Sequence, residues 1–177
     1  ATFLLWSSVW LRGVRWKWLF KDENSPTISS LYRAELIGYF GNNILPLRLG
    51  ELLRSYIVGK ENYLSKSFVF GTVVLERLMD LFVLALFALL LLLSYPLEGD
   101  VKGYVMWGGI ISFIGIAVFL IISYRINFIQ SNKKILLIFI RIIDGISSIK
   151  KNKIIPVIIS SIIIWCIYLL DVYLIQK

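Results

Sequence analysis

Arg48, Glu51 and Arg54 recur three residues apart in the stretch Gly41-Asn42-Asn43-Ile44-Leu45-Pro46-Leu47-Arg48-Leu49-Gly50-Glu51-Leu52-Leu53-Arg54. A helix that starts after Pro46 gathers all three close to one face. Two guanidiniums then flank one carboxylate on an otherwise apolar helix. Guanidiniums so placed hold a phosphate through charge-assisted hydrogen bonds. The carboxylate between them binds an amine or exchanges a proton. The same residues also admit a structural role, in which Glu51 neutralises its neighbours and pins a helical hairpin, because charges in apolar surroundings are paired whatever else they do.

A second set follows at Glu76-Arg77-Leu78-Met79-Asp80. Glu76 and Asp80 share a helix face, and Arg77 reaches Asp80 at the i, i+3 spacing. A span ending at Tyr95 puts Asp80 about 22 Å and Glu76 about 28 Å from its outer end at 1.5 Å per residue. Asp80 thus falls inside the inner leaflet of a core about 30 Å thick, with Glu76 near its edge. Ionisable groups at such depth face a protein interior or a water cavity and point to function. The alternative is that Glu76 and Arg77 reach back to the interface, leaving Asp80 alone to need a partner such as Arg54 or Arg48.

The elements that must position these groups are apolar helices. Of the 177 residues, 58% are hydrophobic and 17% charged, against roughly 45–50% and 25% in soluble domains. The excess gathers in three runs long enough to span a bilayer, 73–95, 104–124 and 154–175. A backbone in lipid must satisfy its own hydrogen bonds, so the runs are predicted to be helices. The expected fold is an all-α integral membrane protein, a polytopic bundle forming one domain. Residues 1–11 are too short to span and are expected to be the end of a truncated helix, the chain being an internal piece of a longer protein. Residues 28–60 are apolar but broken by Gly41, which permits unusual dihedrals, and by Pro46, which lacks an amide proton; Gly50 follows. A re-entrant hairpin of two short helices fits this break, and an amphipathic pair lying in the interface is the alternative. Residues 125–153 hold seven basic residues (Arg125, Lys133, Lys134, Arg141, Lys150, Lys151 and Lys153) against Asp144, and read as a cytoplasmic interfacial segment with an amphipathic helix. Multi-pass insertion in the inner or plasma membrane, basic loops cytoplasmic, follows from that asymmetry. Arg12, Arg15, Lys17 and Lys21 place the end of the first helix on the same side. Asp171 is expected at the outer interface.

Composition also excludes. With no histidine, His-based acid–base catalysis, Ser-His-Asp triads and most zinc sites are ruled out within this chain. The lone Cys166 makes no intrachain disulfide. A net charge of +8 flanks apolar runs without any nucleic-acid recognition module, so topology and anionic lipid contact account for it. No catalytic residue, metal ligand or cofactor is assigned.

The pattern Asn-Asn-x-x-Pro-x-Arg-x-Gly-Glu-x-x-Arg, followed about 20 residues later by Glu-Arg-x-x-Asp, resembles the membrane region of the lysylphosphatidylglycerol synthase family, a flippase-like superfamily. The likeness covers Arg12 to Asp80 by motif and the remainder by the order of apolar runs. Its matching positions are Asn43, Pro46, Arg48, Gly50, Glu51, Arg54, Glu76, Arg77 and Asp80. The resemblance implies a lipid translocator. Some members carry a cytosolic aminoacyltransferase domain; none is present in this chain, so that activity is not carried over, and a fused or separate cytosolic synthase domain is an expected partner, as is a second copy of the chain.

Three functions follow as expectations. The first is translocation of a phospholipid or a lipid-linked anionic headgroup, with Asn43, Arg48, Glu51, Arg54, Glu76, Arg77 and Asp80 forming the headgroup site. Arg48, Arg54 and Arg77 would hold phosphate, and Glu51 and Asp80 an amine or a proton. The second is a membrane-embedded transferase acting on a lipid or polyprenyl phosphate. The third is a non-catalytic membrane scaffold in which the ion pairs are structural.

Overall fold

A computed structural model describes residues 2–20, 25–94, 100–126 and 134–176; at 2, 48, 116, 118–126 and 134–136 it describes the backbone alone. Seven α-helices and two 3-10 turns make up the described residues, with no strand among them. Helix α1 spans Thr2–Trp18, α2 Ile28–Ile44, α3 Gly50–Glu61, α4 Lys66–Ser94, α5 Asp100–Ile126, α6 Lys134–Ile146 and α7 Ile154–Ile175. Short turns at Pro46–Arg48 and Lys151–Lys153 lead into α3 and α7. By length and composition Lys66–Ser94 and Lys151–Ile175 can each cross a bilayer. The connection 96–99, the segment 127–133 and Lys21 lie outside the described residues.

Several helices outrun the apolar runs that suggest them. Helix α1 continues past Leu11 to Trp18, and α4 starts at Lys66, seven residues before Val73. The α1 extension buries Arg12, Arg15 and Trp16, and the α4 extension buries Val69, Gly71 and Thr72, so tertiary contacts, which apolar run length does not register, carry the helix onward.

Helices α2 and α3 form a hairpin whose break falls at the Gly41–Gly50 stretch. Thr27 caps α2, its Oγ1 accepting from the Ser30 amide at 3.2 Å. The helix ends where Pro46 cannot continue it, and the turn holds Leu47 at φ 58°, a left-handed conformation that non-glycine residues avoid. The two arms return against each other at van der Waals closeness. A Cβ on Gly50 would run into the carbonyl oxygen of Gly38 and the side chain of Asn42. At the hairpin's base Ser30 donates to Glu61 at 2.8 Å and Arg33 pairs with Glu61 at 3.3 Å.

Around this hairpin α1 packs on α2, α4 on α3, and α7 on α1 and α4. Helix α6 docks on α4 through Gly71 and Gly145, where a Cβ on either would strike a carbonyl oxygen of the facing helix, of Ile142 or Phe68. The apolar stretch of the basic segment forms a thirteen-residue helix seated on α4 by its C-terminal turn. A dry core of Trp16, Leu19, Leu31, Ala34, Val58, Val69, Val73 and Val157 fills the centre between α1, α2, α3, α4 and α7.

Candidate functional site

Immediately beside that core lies a lattice of buried charge. Helix α1 contributes Arg12 and Arg15, one turn apart on one face. Helix α2 brings Glu35 and α3 brings Arg54; α4 brings Glu76 and Asp80. All six are at most 5% exposed. Glu76 is the hub. Its Oε1 accepts from Arg12 Nη1 at 3.2 Å and Arg15 Nη2 at 2.9 Å, and its Oε2 lies 3.1 Å from Arg54 Nη2. Asp80 takes Arg15 at 2.6 Å and sits 3.8 Å from Arg12. Arg54 also pairs with Glu35, and with Glu51 at 2.8 Å.

The lattice has one edge that is not sealed. Arg77 pairs with Glu51 and stands 3.7 Å from Asp80, with 42% of the Arg77 side chain and 20% of the Glu51 side chain exposed. A small cavity opens there, lined by Glu35, Tyr39, Asn42, Glu51, Arg54 and Arg77 with Gly38. Gly38 sits close against Arg54: a Cβ there would come within 3.2 Å of the Arg54 Cδ and would press on its side chain.

Neutral groups complete the shell. Tyr168 of α7 accepts from Arg12 Nε at 3.0 Å and lies 3.3 Å, oxygen to oxygen, from Tyr39 of α2. Arg12 also stands over the Tyr168 ring, 5.5 Å from its centroid. Ser161 accepts from Arg15 at 2.7 Å. Arg54 lies 4.8 Å above the ring of Trp16, whose indole donates to Thr72 at 2.9 Å. The core residue Trp16 is therefore also a wall of the site.

The formal charges balance. Arg12, Arg15, Arg54 and Arg77 face Glu35, Glu51, Glu76 and Asp80, so the eight described side chains, all ionised, sum to zero. Apolar surroundings demand such a balance, since an uncompensated buried charge is costly.

Of the residues expected from sequence, Glu51, Arg54, Glu76, Arg77 and Asp80 meet in this lattice. The reach of Glu76 back to an interface does not occur: its side chain is fully buried. Asn43 stays outside. It is exposed, and its amide donates to the Tyr39 carbonyl of its own helix at 3.0 Å, while its neighbour Asn42 lines the cavity, because the helix turns adjacent residues about 100° apart. Gly41 and Gly50 hold the hairpin closed, and Pro46 starts the turn; the side chain of Arg48 lies outside the described residues. Arg12 and Arg15, expected to mark a membrane edge, are instead buried ligands of Glu76 and Asp80. Glu35, Tyr39, Tyr168 and Ser161 were not expected in the site. Asp171, expected at the interface, is buried on α7.

Residues 1–177 match the family model described as "Lysylphosphatidylglycerol synthase TM region". A UPF0104 membrane protein of Methanocaldococcus jannaschii is 33% identical over 144 residues, covering 77% of this chain and 60% of that protein. A second UPF0104 membrane protein of the same organism is 31% identical over 90 residues, 49% of this chain and 27% of its own length. The chain thus spans about 60% of the first relative. No solved structure matches it.

Proposed function

Because the chain belongs to the lysylphosphatidylglycerol synthase transmembrane-region family of membrane proteins, we propose that it is a phospholipid translocator, or the part of one that holds the headgroup. Its setting in this reading is the inner or plasma membrane, crossed several times, with the basic loops cytoplasmic. The observation that carries the proposal is the unsealed edge of the charge lattice. Buried arginines drawn from two helices lead to the half-exposed Arg77–Glu51 pair, beside a hairpin that is broken and apolar at its tip.

That hairpin suits a re-entrant element. At 1.5 Å per residue its arms of 17 and 12 residues reach about 25 and 18 Å, less than the roughly 30 Å of a hydrocarbon core. Its base carries the polar Ser30, Arg33 and Glu61 group. Its tip exposes Ile44, Leu45 and Leu47, which belong in lipid. Broken helices near membrane depth build substrate sites in transporters. A headgroup phosphate entering at this edge would replace the Glu51 carboxylate on Arg77 with another oxyanion of similar geometry.

The matching of four cations by four anions also favours a second reading, a structural lattice within a membrane scaffold. Reconstitution separates the two. The complete protein in liposomes should move labelled phospholipids between leaflets, and Arg77→Gln should slow that movement at least about tenfold while eluting as a folded species. A folded Arg77→Gln protein that transports at the full rate would remove the rim from the mechanism, and a folded wild type that moves no lipid would leave the scaffold.

A further inference from the structure

The cavity at the rim has unused bonding capacity of two opposite kinds. The acceptors Asn42 Oδ1 and Glu51 Oε2 are buried without a hydrogen bond, and so are the donors Arg54 Nε and Nη2. All three residues line the same cavity. Two of these four atoms, Glu51 Oε2 and Arg54 Nη2, form an ion pair with each other at 2.8 Å, and Nη2 lies 3.1 Å from Glu76 Oε2; Asn42 Oδ1 and Arg54 Nε are the acceptor and the donor left without a hydrogen bond. A phosphate by itself would answer the donors and then face Glu35, Glu51 and Glu76. A lone ammonium would answer the acceptors and face the arginines.

Charge points the same way. The eight side chains of the lattice cancel, so a singly anionic ligand would leave the loaded site at about −1 within apolar surroundings. Opening the Arg77–Glu51 pair releases one cation and one anion together. A ligand that replaces both partners offers one charge of each sign. Resting on the translocator reading above, we infer that the site selects a zwitterionic headgroup, a phosphodiester bearing an ammonium group, over a singly anionic one. The phosphodiester takes Arg77 and Arg54, and the ammonium takes Glu51 and Asn42. The ligand is a lipid rather than a free phosphate ester, because Leu81, one helical turn from Arg77, and Leu52, next to Glu51, are exposed and offer acyl chains an apolar path.

The test uses the complete protein in vesicles carrying trace fluorescent phosphatidylethanolamine or phosphatidylglycerol, each scored by quenching from outside. The wild type should move phosphatidylethanolamine at least about tenfold faster. Glu51→Gln leaves four cations against three anions, so it should reverse the preference toward phosphatidylglycerol, while Glu51→Asp keeps the charge and the original order. Circular dichroism and elution volume establish that both variants are folded; if Glu51→Gln fails this, the wild-type ratio with Glu51→Asp still decides. Equal or faster phosphatidylglycerol movement by the wild type would overturn the zwitterion inference and leave translocation standing. Movement of neither lipid above protein-free vesicles would overturn translocation itself. Uptake of water-soluble glycerophosphoethanolamine at the lipid's rate would overturn the lipid as the source of the headgroup.

Discussion

Helix α4 holds two environments on one continuous backbone. From Val69 to Asp80 it buries Gly71, Thr72, Glu76 and Asp80 along with its valines. From Leu81 to Ser94 it exposes Leu81, Leu84, Leu89, Leu90, Leu91 and Leu93, and α5 alongside is exposed at Trp107, Ile111 and Ile114. Charge lies inside and leucine outside, the reverse of a protein dissolved in water. Where lipid is the solvent, leucine gains nothing by leaving it, and the interior is held by close backbone approach and polar pairing instead. The first half of α4 is therefore expected to be sensitive to single substitutions and the exposed leucines of the second half indifferent, Val83 and Ala85 being buried there.

The largest effect should come at the hub. Glu76→Gln keeps the side-chain volume but removes the carboxylate shared by Arg12, Arg15 and Arg54. Leaving buried guanidiniums without their counter-charge costs about 3–5 kcal/mol. Thermal unfolding in detergent, followed by loss of monodisperse protein, should show the variant markedly less stable than wild type. Unchanged stability would mean that Asp80 and Glu35 suffice for all three arginines.

A middle-sized effect is expected where α6 meets α4. Gly145→Val places a branched side chain against the Phe68 carbonyl and the Gly71 backbone. Helices so close must part to admit it, at about 1–3 kcal/mol for overpacking of this kind. The substitution leaves every member of the ion lattice in place. Cysteines at facing positions on α4 and α6 that flank Gly71 and Gly145 should crosslink readily with both glycines in place and less readily on the Gly145→Val background.

What could be read from sequence divides along the same line as α4. The hairpin break was legible because proline and glycine act on their own backbone, locally. The meeting of Glu51, Arg54, Glu76, Arg77 and Asp80 was legible because charges within apolar runs must find one another. Arg12 and Arg15 were misread. Basic residues after a short apolar stretch look alike whether they mark a membrane edge or enter a bundle; only the recurrence of Ser8, Arg12 and Arg15 on one face hinted at burial. Glu35 left a similar trace, sharing its face with Gly38 and Asn42. Tyr168 and Ser161 left none, because their roles depend on α7 returning to α1 across the whole chain. Depth along a helix can be counted in residues, but which helix covers a given face cannot, so the burial of Asp171 on α7 was not foreseen.

The smallest effect belongs to the distal half of α4. Leu90→Ala removes as many methyl-bearing carbons as Leu31→Ala, yet Leu31 is fully buried in the core and Leu90 is 56% exposed. Truncating Leu31 leaves a cavity that its neighbours fill only in part, costing about 2–5 kcal/mol. Truncating Leu90 leaves a space that acyl chains enter freely, so its cost should stay within about 0.5 kcal/mol. Unfolding of the two variants in the same lipid environment measures the difference directly. A Leu90→Ala penalty approaching that of Leu31→Ala would mean that the distal half of α4 is covered by protein, and the contrast between the two halves of the helix would then be one of partner rather than of solvent.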